Sequence, residues 1–335
     1  MATIAIFAAL AAGLLIAAGY PSRPRVSGDT APRPSVTAIA TPTVEITQSA
    51  PATPSVEPTP AAEPTPTAPA HFSGSAALAD ITALAKIGVR QGGRSNERLG
   101  AELIARRLRS AGYDPEIREF TLPNGKTSRN VFARAQGGSD RVILLGAHMD
   151  SKQPSPGAND NASGCAALLE IARKIADRPL YASVDLVFFG TEEMIDSNPD
   201  HHHYGSRTYA KALSASDRKA VAAMISVDMI GTGSTMVSRT MGLGPKTLSN
   251  LLIKRAKASG VKLSYLRDPS KAGYSDHEPF ERLGMPVSWI EWRNDPYYHT
   301  ARDTADRVSK TRLERAGQLV LDFVLDADQA MLQGL

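Results

Sequence analysis

From residue 73 onward, short apolar runs rich in β-branched residues alternate with longer segments whose apolar residues recur at helical spacing. This alternation constrains the fold more than any other feature, because strands separated by helices tend to pair in parallel within one sheet. We predict strands at 131–135, 141–148, 183–190, 220–231 and 286–292, and helices at 95–109, 163–176, 206–213, 245–260 and 310–332. Ser95 is expected to be the N-cap of the first helix. The predicted fold class is α/β, with a mixed, largely parallel central sheet flanked by helices.

The first 71 residues have a different composition. Residues 3–20 contain no charged residue, which is typical of a signal peptide or of a short membrane anchor. Twelve of the 23 prolines lie between residues 21 and 70, in a stretch with no aromatic residue that cannot bury enough apolar surface to fold. We therefore predict a signal peptide or anchor at 1–20, a disordered Pro/Thr-rich stalk at 21–71 and a globular domain at 72–335. This organisation predicts a secreted or cell-surface protein, with membrane attachment possible through the N-terminal segment only.

Charge and cysteine content narrow the possible functions. The 38 Lys and Arg residues exceed the 34 Asp and Glu residues by only four, and no long basic run is present. This balance argues against a nucleic-acid partner. The only cysteine is Cys165, which excludes a disulfide framework and a thiolate metal cluster. A transition-metal site in this chain must therefore be built from His, Asp and Glu.

Side chains that can bind metals or protons follow the predicted strands, at the point where each strand ends. They are His148, Asp150, Asp160, Glu192, Glu193, Asp228, Tyr298 and His299. In open α/β sheets, ligands bind in the crevice beyond the carboxyl ends of the strands. We therefore expect these side chains to converge in one cleft.

Each of these residues also has a structural explanation when it is taken alone. A histidine at a strand end is often only hydrogen-bonded, Asp160 could cap the next helix, and the Glu192–Glu193 pair could be solvated. His148 and Asp150 are two residues apart on an extended chain and face the same side, so Asp150 can accept the imidazole N–H. Several buried carboxylates in one cleft would repel each other unless cations neutralise them. Two Zn²⁺ ions would balance three carboxylates and a hydroxide, so the residues predict a zinc site.

The motifs occur in the order typical of a known family. They are GAHMDS with His148 and Asp150, GANDNASG with Asp160, FFGTEE with Glu192 and Glu193, ISVDMIG with Asp228, YSDHEPFERLGMP with Ser275, Asp276 and His277, and YYHTARDT with His299. From about residue 75 to the C-terminus, the sequence resembles the M28 family of di-zinc metallopeptidases, in the aminopeptidase-like group. The resemblance implies a three-layer sandwich of the zinc-exopeptidase type.

The resemblance also implies a role for each site residue. His148 and Asp228 would hold one zinc ion, Glu193 and His299 the other, and Asp160 would bridge them. A hydroxide between the metals would be the nucleophile, Glu192 the general base, and Tyr298 a hydrogen-bond donor to the oxyanion, with Asp150 supporting catalysis beside His148. The implied activity is a zinc-dependent aminopeptidase that acts on peptide or protein N-termini. A cis peptide bond between Asp160 and Asn161 is implied as well.

One stretch departs from the family pattern. In many relatives a Gly-Ser pair follows the two glutamates within about six residues, whereas residues 194–204 intervene here before Gly205 and Ser206. We interpret this stretch as an inserted loop that shapes the substrate entrance, and we do not expect its histidines 201–203 to bind metal. Two alternative functions stay open: a glutaminyl cyclase that uses a similar site with one zinc ion, and a catalytically inactive family member that serves as a binding module.

Overall fold

A computed structural model of the protein describes residues 69–269 and 272–335. The predicted signal peptide or anchor at 1–20 lies outside the described residues, and so does nearly all of the predicted stalk at 21–71. Within the described ranges, no helix is long and apolar enough to cross a membrane.

The central element is an eight-stranded sheet with the order β1-β2-β4-β3-β5-β8-β6-β7. The strands are β1 (Glu116–Thr121), β2 (Thr127–Ala135), β3 (Val142–His148), β4 (Ser183–Phe189), β5 (Val221–Val227), β6 (Thr235–Thr240), β7 (Ser264–Arg267) and β8 (Val287–Arg293). The strands β4, β3, β5 and β8 run parallel at the centre, and the pairs β1/β2, β2/β4 and β6/β8 are antiparallel. The predicted mixed, largely parallel sheet is confirmed.

Helices cover both faces of the sheet. They are α1 (Gly74–Ala85), α2 (Ser95–Ser110), α3 (Ala162–Ile175), α4 (Tyr204–Ala212), α5 (Ala215–Ala220), α6 (Thr247–Ala258), α7 (Glu278–Arg282), α8 (Lys310–Leu325) and α9 (Gln329–Gln333), with a short 3-10 helix at Ala305–Arg307. One face packs against α1, α2, α3, α6 and α8, and the other against α4 and α7. Because both faces are covered, every residue of β3, β4 and β5 is buried, which explains their nearly continuous apolar sequences.

The order of the central strands decides where a ligand can bind. The chain passes from β3 through α3 to β4 on one side of β3, and then through α4 and α5 to β5 on its other side. Such a reversal of direction opens a crevice at the carboxyl ends of the strands. His148 is the last residue of β3 and Asp228 directly follows β5, so the topology places both at this crevice.

Several boundaries differ from the sequence prediction. Strands β1, β6 and β7 were not expected, and β1 is mostly exposed, so it lacks the apolar run that marks a buried strand. The predicted helix at 310–332 is two helices, because Asp328 starts α9 by accepting the backbone N–H of Met331. The prediction for Ser95 was wrong: Ser95 is the first residue of α2, and Arg94 is the N-cap.

Gly164 in α3 allows the N-terminus of this helix to approach the end of β5. A Cβ at this position would collide with the carbonyl oxygen of Val227. We therefore expect Gly164→Ala to lower the free energy of unfolding by about 1–3 kcal/mol, the range for overpacking a close contact. Chemical denaturation would measure this change. Gly138→Ala is the matched control, because its Cβ would have no neighbour closer than 3.8 Å; equal stability of the two variants would contradict the packing argument.

Glu97 connects α2 to β2 and to the loop after β4. Its carboxylate accepts hydrogen bonds from Ser128 (2.6 Å), Thr191 (3.0 Å) and the backbone N–H of Gly93 (2.8 Å). Burial, helped by the nearby charge of Asp150, raises the pKa of Glu97 to about 7. The folded protein therefore holds this proton more tightly than the unfolded chain does.

The raised pKa of Glu97 has a sign that can be tested. The tighter binding of this proton in the folded protein stabilises the fold fully at pH values below the unfolded pKa of about 4.5. This contribution to the unfolding free energy, up to about 3 kcal/mol, is lost as the pH rises to about 7. We expect Glu97→Gln to flatten the fall in unfolding free energy over this pH range, measured by denaturation at each pH. Glu102→Gln, which changes an exposed carboxylate on the same helix, should keep the wild-type slope. A wild-type slope in Glu97→Gln would refute the assignment.

Candidate active site

Three neighbouring strands bring one imidazole and three carboxylates to the same place. His148 ends β3, Glu192 and Glu193 lie in the loop just after β4, and Asp228 follows β5. All four therefore sit at the carboxyl edge of adjacent parallel strands. His299 reaches the same edge from the loop after β8.

Asp160 lies between the two histidines. Its Oδ1 atom is 3.1 Å from Nε2 of His148, and its Oδ2 atom is 3.2 Å from Nε2 of His299. The peptide bond that joins Asp160 to Asn161 is cis, as the resemblance implied. One carboxylate thus turns one oxygen toward each histidine.

Two groups of potential ligand atoms meet at this point, and Asp160 belongs to one of them. One consists of His148, Glu192 and Asp228, and the other of Asp160, Glu193 and His299; within each group the atoms lie within 4.8 Å of one another. In the described part of the chain, Oδ1 of Asp228 is buried without a hydrogen-bond partner. Carboxylate oxygens and imidazole nitrogens are ligands that zinc accepts, so the donor set fits a metal ion.

The electrostatics of the cluster also favour bound cations. Burial raises the pKa of Glu192 well above its usual value, and the neighbouring Glu193 and Asp228 raise it further although His148 opposes them. Burial also raises the pKa of Glu193. For Asp160, burial is outweighed by hydrogen bonds from His148 and His299, which lower its pKa. The two glutamates are therefore costly to ionise unless a cation lies beside them.

Asp150 ties the glutamate pair to β3. Its Oδ1 atom accepts the backbone N–H of Glu192 at 3.0 Å, and its Oδ2 atom accepts that of Glu193 at 3.1 Å. Its Oδ1 atom also lies 3.3 Å from Nδ1 of His148. The sequence suggested only the contact with His148; the two backbone contacts depend on how β3 and β4 align, which no local pattern encodes.

Asp303 holds the loop that carries Asp160. Its carboxylate accepts the backbone N–H of Asn159 at 2.6 Å and that of Asp160 at 3.2 Å. Asn161 completes the support, because its side chain caps α3 through the N–H of Gly164. Sequence reasoning missed Asp303, although its place four residues after His299, in the same motif, was a usable signal.

Ser275 supports Asp228. Its hydroxyl donates to Oδ2 of Asp228 at 2.7 Å, so the segment expected to assist the site does contact it. The indole N–H of Trp289 donates to the backbone carbonyl of Asp228 at 3.3 Å. These two bonds leave Oδ1 of Asp228 facing His148 at 3.5 Å.

Tyr298 lies at the mouth of the site. Its ring stacks on that of His299 with centroids 3.7 Å apart, and half of the residue is exposed. Burial of the rest of the side chain, together with the nearby charges of Asp160 and Glu193, raises the pKa of the phenol. Tyr298 therefore keeps its proton and can act as a hydrogen-bond donor.

A cleft of about 560 Å³ opens in front of these residues. Arg239 lies along its wall, with its guanidinium 4.0 Å from the ring centroid of Trp289. Asp268 (2.7 Å) and Glu291 (2.9 Å) pair with Arg239. The wall is thus partly aromatic, and its buried arginine is paired with two carboxylates.

The inserted stretch at 194–204 also reaches the site, through His203. Nε2 of His203 lies 2.9 Å from Oε1 of Glu192. Three consecutive histidines give no periodicity that would indicate which one points inward. The sequence therefore did not distinguish His203 from its two neighbours.

Comparison with known proteins agrees with this geometry. Residues 130–324, more than half of the chain, match the model of peptidase family M28. Aminopeptidase YwaD of Bacillus subtilis (strain 168) is 31% identical over 222 residues, which cover 63% of this chain and 47% of the relative. The chain spans about half the length of the curated relatives it matches.

Solved structures show the same fold. A zinc aminopeptidase from Bacillus subtilis superposes with a TM-score of 0.69 at 20% identity, over 76% of this chain and 95% of that one. A glutaminyl cyclase from an Acidobacteriales bacterium gives a TM-score of 0.69 at 27% identity, over 81% of this chain and 98% of that one. By the match of its sequence to the family model, the chain belongs to peptidase family M28.

Proposed function

We propose that this protein is a zinc-dependent aminopeptidase that hydrolyses the N-terminal peptide bond of peptides or proteins. The observation that carries the proposal is the placement of Asp160, with one oxygen toward His148 and the other toward His299. A carboxylate in this position can bind two ions at once. The relationship to peptidase family M28 supports this activity.

The proposed ligands are drawn from the two groups of potential ligand atoms, with Glu192 of the first group assigned as the base and Asp160 shared. His148 and Asp228 would hold one Zn²⁺ ion, Glu193 and His299 would hold the other, and Asp160 would contribute to both. When bound, the two ions would polarise the scissile carbonyl group and lower the pKa of water into the neutral range. Three carboxylates against four positive charges leave one positive charge, which matches a bound hydroxide.

The other side chains would move protons and stabilise charge. Glu192 takes the proton of the attacking water and passes it to the leaving amine, as general bases of this kind do. Its Oε2 atom is 4.0 Å from Nε2 of His148, so it borders the proposed metal site. Tyr298 donates a hydrogen bond to the oxyanion that forms at the scissile carbonyl. Asp150 keeps Glu192 and Glu193 in place through their backbone N–H groups.

The proposed preference for chain ends is supported by the relatives, among which are aminopeptidases. A free α-amine is cationic at neutral pH, and Glu192 is the one carboxylate of the cluster that the proposed zinc ions and hydroxide do not balance, so it can attract that charge. An internal peptide segment carries no such charge.

Glutaminyl cyclisation is the second candidate function. The similarity to a glutaminyl cyclase at 27% identity favours it. That reaction releases ammonia from an N-terminal glutamine and needs no attacking water. The presence of all five proposed ligands, His148, Asp160, Glu193, Asp228 and His299, favours hydrolysis, because a two-ion site generates a nucleophile from water.

We also propose that the protein is exported. The support is the uncharged apolar run at residues 3–20, followed by the Pro/Thr-rich stretch up to residue 71. A probable lipoprotein aminopeptidase is among the relatives of this chain. Fractionation of expressing cells, with detection of the full-length and processed chains, tests this proposal.

The metal site predicts a defined zinc content. The wild-type protein should bind two Zn²⁺ ions per chain, measured by elemental analysis after dialysis. Asp160→Ala should lose both ions because it removes the shared ligand, whereas His148→Ala should lose mainly one. Glu102→Gln is the control and should keep both ions, because Glu102 is an exposed carboxylate on α2 that belongs to neither group of ligand atoms. Folded wild-type protein without zinc at neutral pH would refute the site.

Substitution of the two adjacent glutamates should affect zinc content and kcat differently. Glu192→Gln should keep both zinc ions and lower kcat by about 100-fold or more, as expected for loss of a general base. Glu193→Gln should lose zinc, because it changes a proposed ligand. Cleavage of aminoacyl anilides and elemental analysis of each variant measure these effects. An exchange of the two phenotypes would reverse the assignment of base and ligand.

One assay separates the proposed function from its alternatives. The zinc-loaded protein is incubated with aminoacyl anilides, with peptides and with a peptide that begins with glutamine. An aminopeptidase releases free N-terminal amino acids, a cyclase releases ammonia and leaves a pyroglutamyl peptide, and a binding module does neither. Release of ammonia alone would overturn the proposed hydrolysis.

A further inference from the structure

The inserted stretch returns to the active site at His203. The backbone N–H of His203 donates to the carbonyl of Glu192 at 2.8 Å, and that of Tyr204 donates to the carbonyl of Thr191 at 2.9 Å. His203 itself has a left-handed backbone conformation (φ 55°) and precedes the first residue of α4. The chain leaves Glu192 and Glu193, and at the end of the stretch its backbone hydrogen-bonds to the backbone of Thr191 and Glu192.

The imidazole of His203 lies between two carboxylates. Nε2 is 2.9 Å from Oε1 of Glu192, and Nδ1 is 2.8 Å from Oε2 of Glu278. His203 is 2% exposed, so water does not compete for either nitrogen. The ring is therefore fixed at both ends.

Glu278, at the far side of His203 from Glu192, is an ionised carboxylate. Arg207 and Arg282 each lie 2.8 Å from its carboxylate. Burial opposes ionisation, but the hydrogen bonds and charges of His203, Arg282 and Arg207 lower the pKa of Glu278. Because the carboxylates of Glu278 and Glu192 both accept, each ring nitrogen of His203 donates a hydrogen, as in the imidazolium.

His202, His203 and Glu278 could also be considered as a separate metal site, since their ligand atoms lie close together. Arg207 argues against this. Its Nη2 atom is 3.1 Å from Nε2 of His202 and 2.8 Å from Oε2 of Glu278. A guanidinium already supplies the positive charge there and would repel a metal ion.

We propose that His203 is a positioning residue for Glu192. By binding Oε1, it leaves Oε2 as the atom directed toward His148 and the reacting water. This inference rests on the proposed function of Glu192 as general base. It assigns the inserted stretch a role inside the site, in addition to any effect on the entrance.

The test compares two substitutions whose side-chain amides take the place of different nitrogens of the His203 ring. His203→Asn retains a donor near the Nδ1 position and tolerates a left-handed backbone, but it does not reach Glu192. His203→Gln places its terminal amide near the Nε2 position and can still donate to Glu192. His201→Asn is the matched control, because His201 lies in the same stretch and bonds to Asp196 at 2.7 Å.

We expect His203→Asn to lower kcat about 10- to 100-fold, the effect of a small misplacement of a reacting group. Its KM, zinc content and melting temperature should stay close to wild type. His203→Gln should recover most of the loss, and His201→Asn should behave as wild type. Wild-type kcat in His203→Asn, or equal losses in the Asn and Gln variants, would overturn the proposal.

Crystal structures of zinc-loaded wild type and His203→Asn give a readout that does not depend on turnover. The carboxylate of Glu192 should turn away from its wild-type orientation only in the Asn variant. If wild type binds zinc but hydrolyses no substrate, the proposed function fails, while this comparison still decides whether His203 orients Glu192. An unchanged Glu192 carboxylate would refute the positioning role.

Discussion

The mutual repulsion of buried carboxylates is the constraint on which the rest of this structure depends. Asp160, Glu192, Glu193 and Asp228 gather at the carboxyl edge of one sheet, three of them less than a tenth exposed. Buried charges of one sign are costly unless each is hydrogen-bonded or paired. The surrounding structure meets this constraint in part, because His148 and His299 lie against Asp160 and Ser275 donates to Asp228; bound zinc, as proposed above, would neutralise the charge that remains.

The residues that hold these carboxylates in place come from segments far apart in the sequence. Asp303 holds the Asp160 loop, Ser275 holds Asp228, and Asp150 holds the backbone of the glutamate pair. Behind them, the fully buried guanidinium of Arg90 donates to the carbonyls of Met149 (2.8 Å) and Gly157 (2.8 Å). This rigid support suits a catalytic site, because small displacements of reacting groups are expensive in rate.

The stretch at 194–204, interpreted from the sequence as an insertion, adds a contact to the site without being part of the core. Residues 194–202 lie at the surface, where extra chain costs little conformational free energy. Within the stretch only His203 is buried, and it lies just before α4, which with β4 fixes both ends of the segment. An insertion placed there can alter the environment of Glu192 while the sheet stays intact.

The sequence by itself determined the α/β class, the central strands and the set of acidic and imidazole residues near their ends. Apolar runs of strand length report burial on both faces, and residues that follow them must lie at the sheet edge, so β3, β4, β5 and β8 could be predicted with their polar tips. Local pattern indicated only that α3 has a polar N-cap, with Asp160 as one candidate, whereas in the structure Asn161 is the N-cap.

Only the tertiary structure decided which of these groups face each other. Exposed β1 and short β7 carry no apolar signature, because their pairing depends on neighbours that the sequence places far away. The contacts of Asp303, Arg90 and His203 join residues separated by tens of positions, and one residue of register shift would turn any of them away. Hydrogen bonds act over about 3 Å, so their partners are fixed by packing and not by composition.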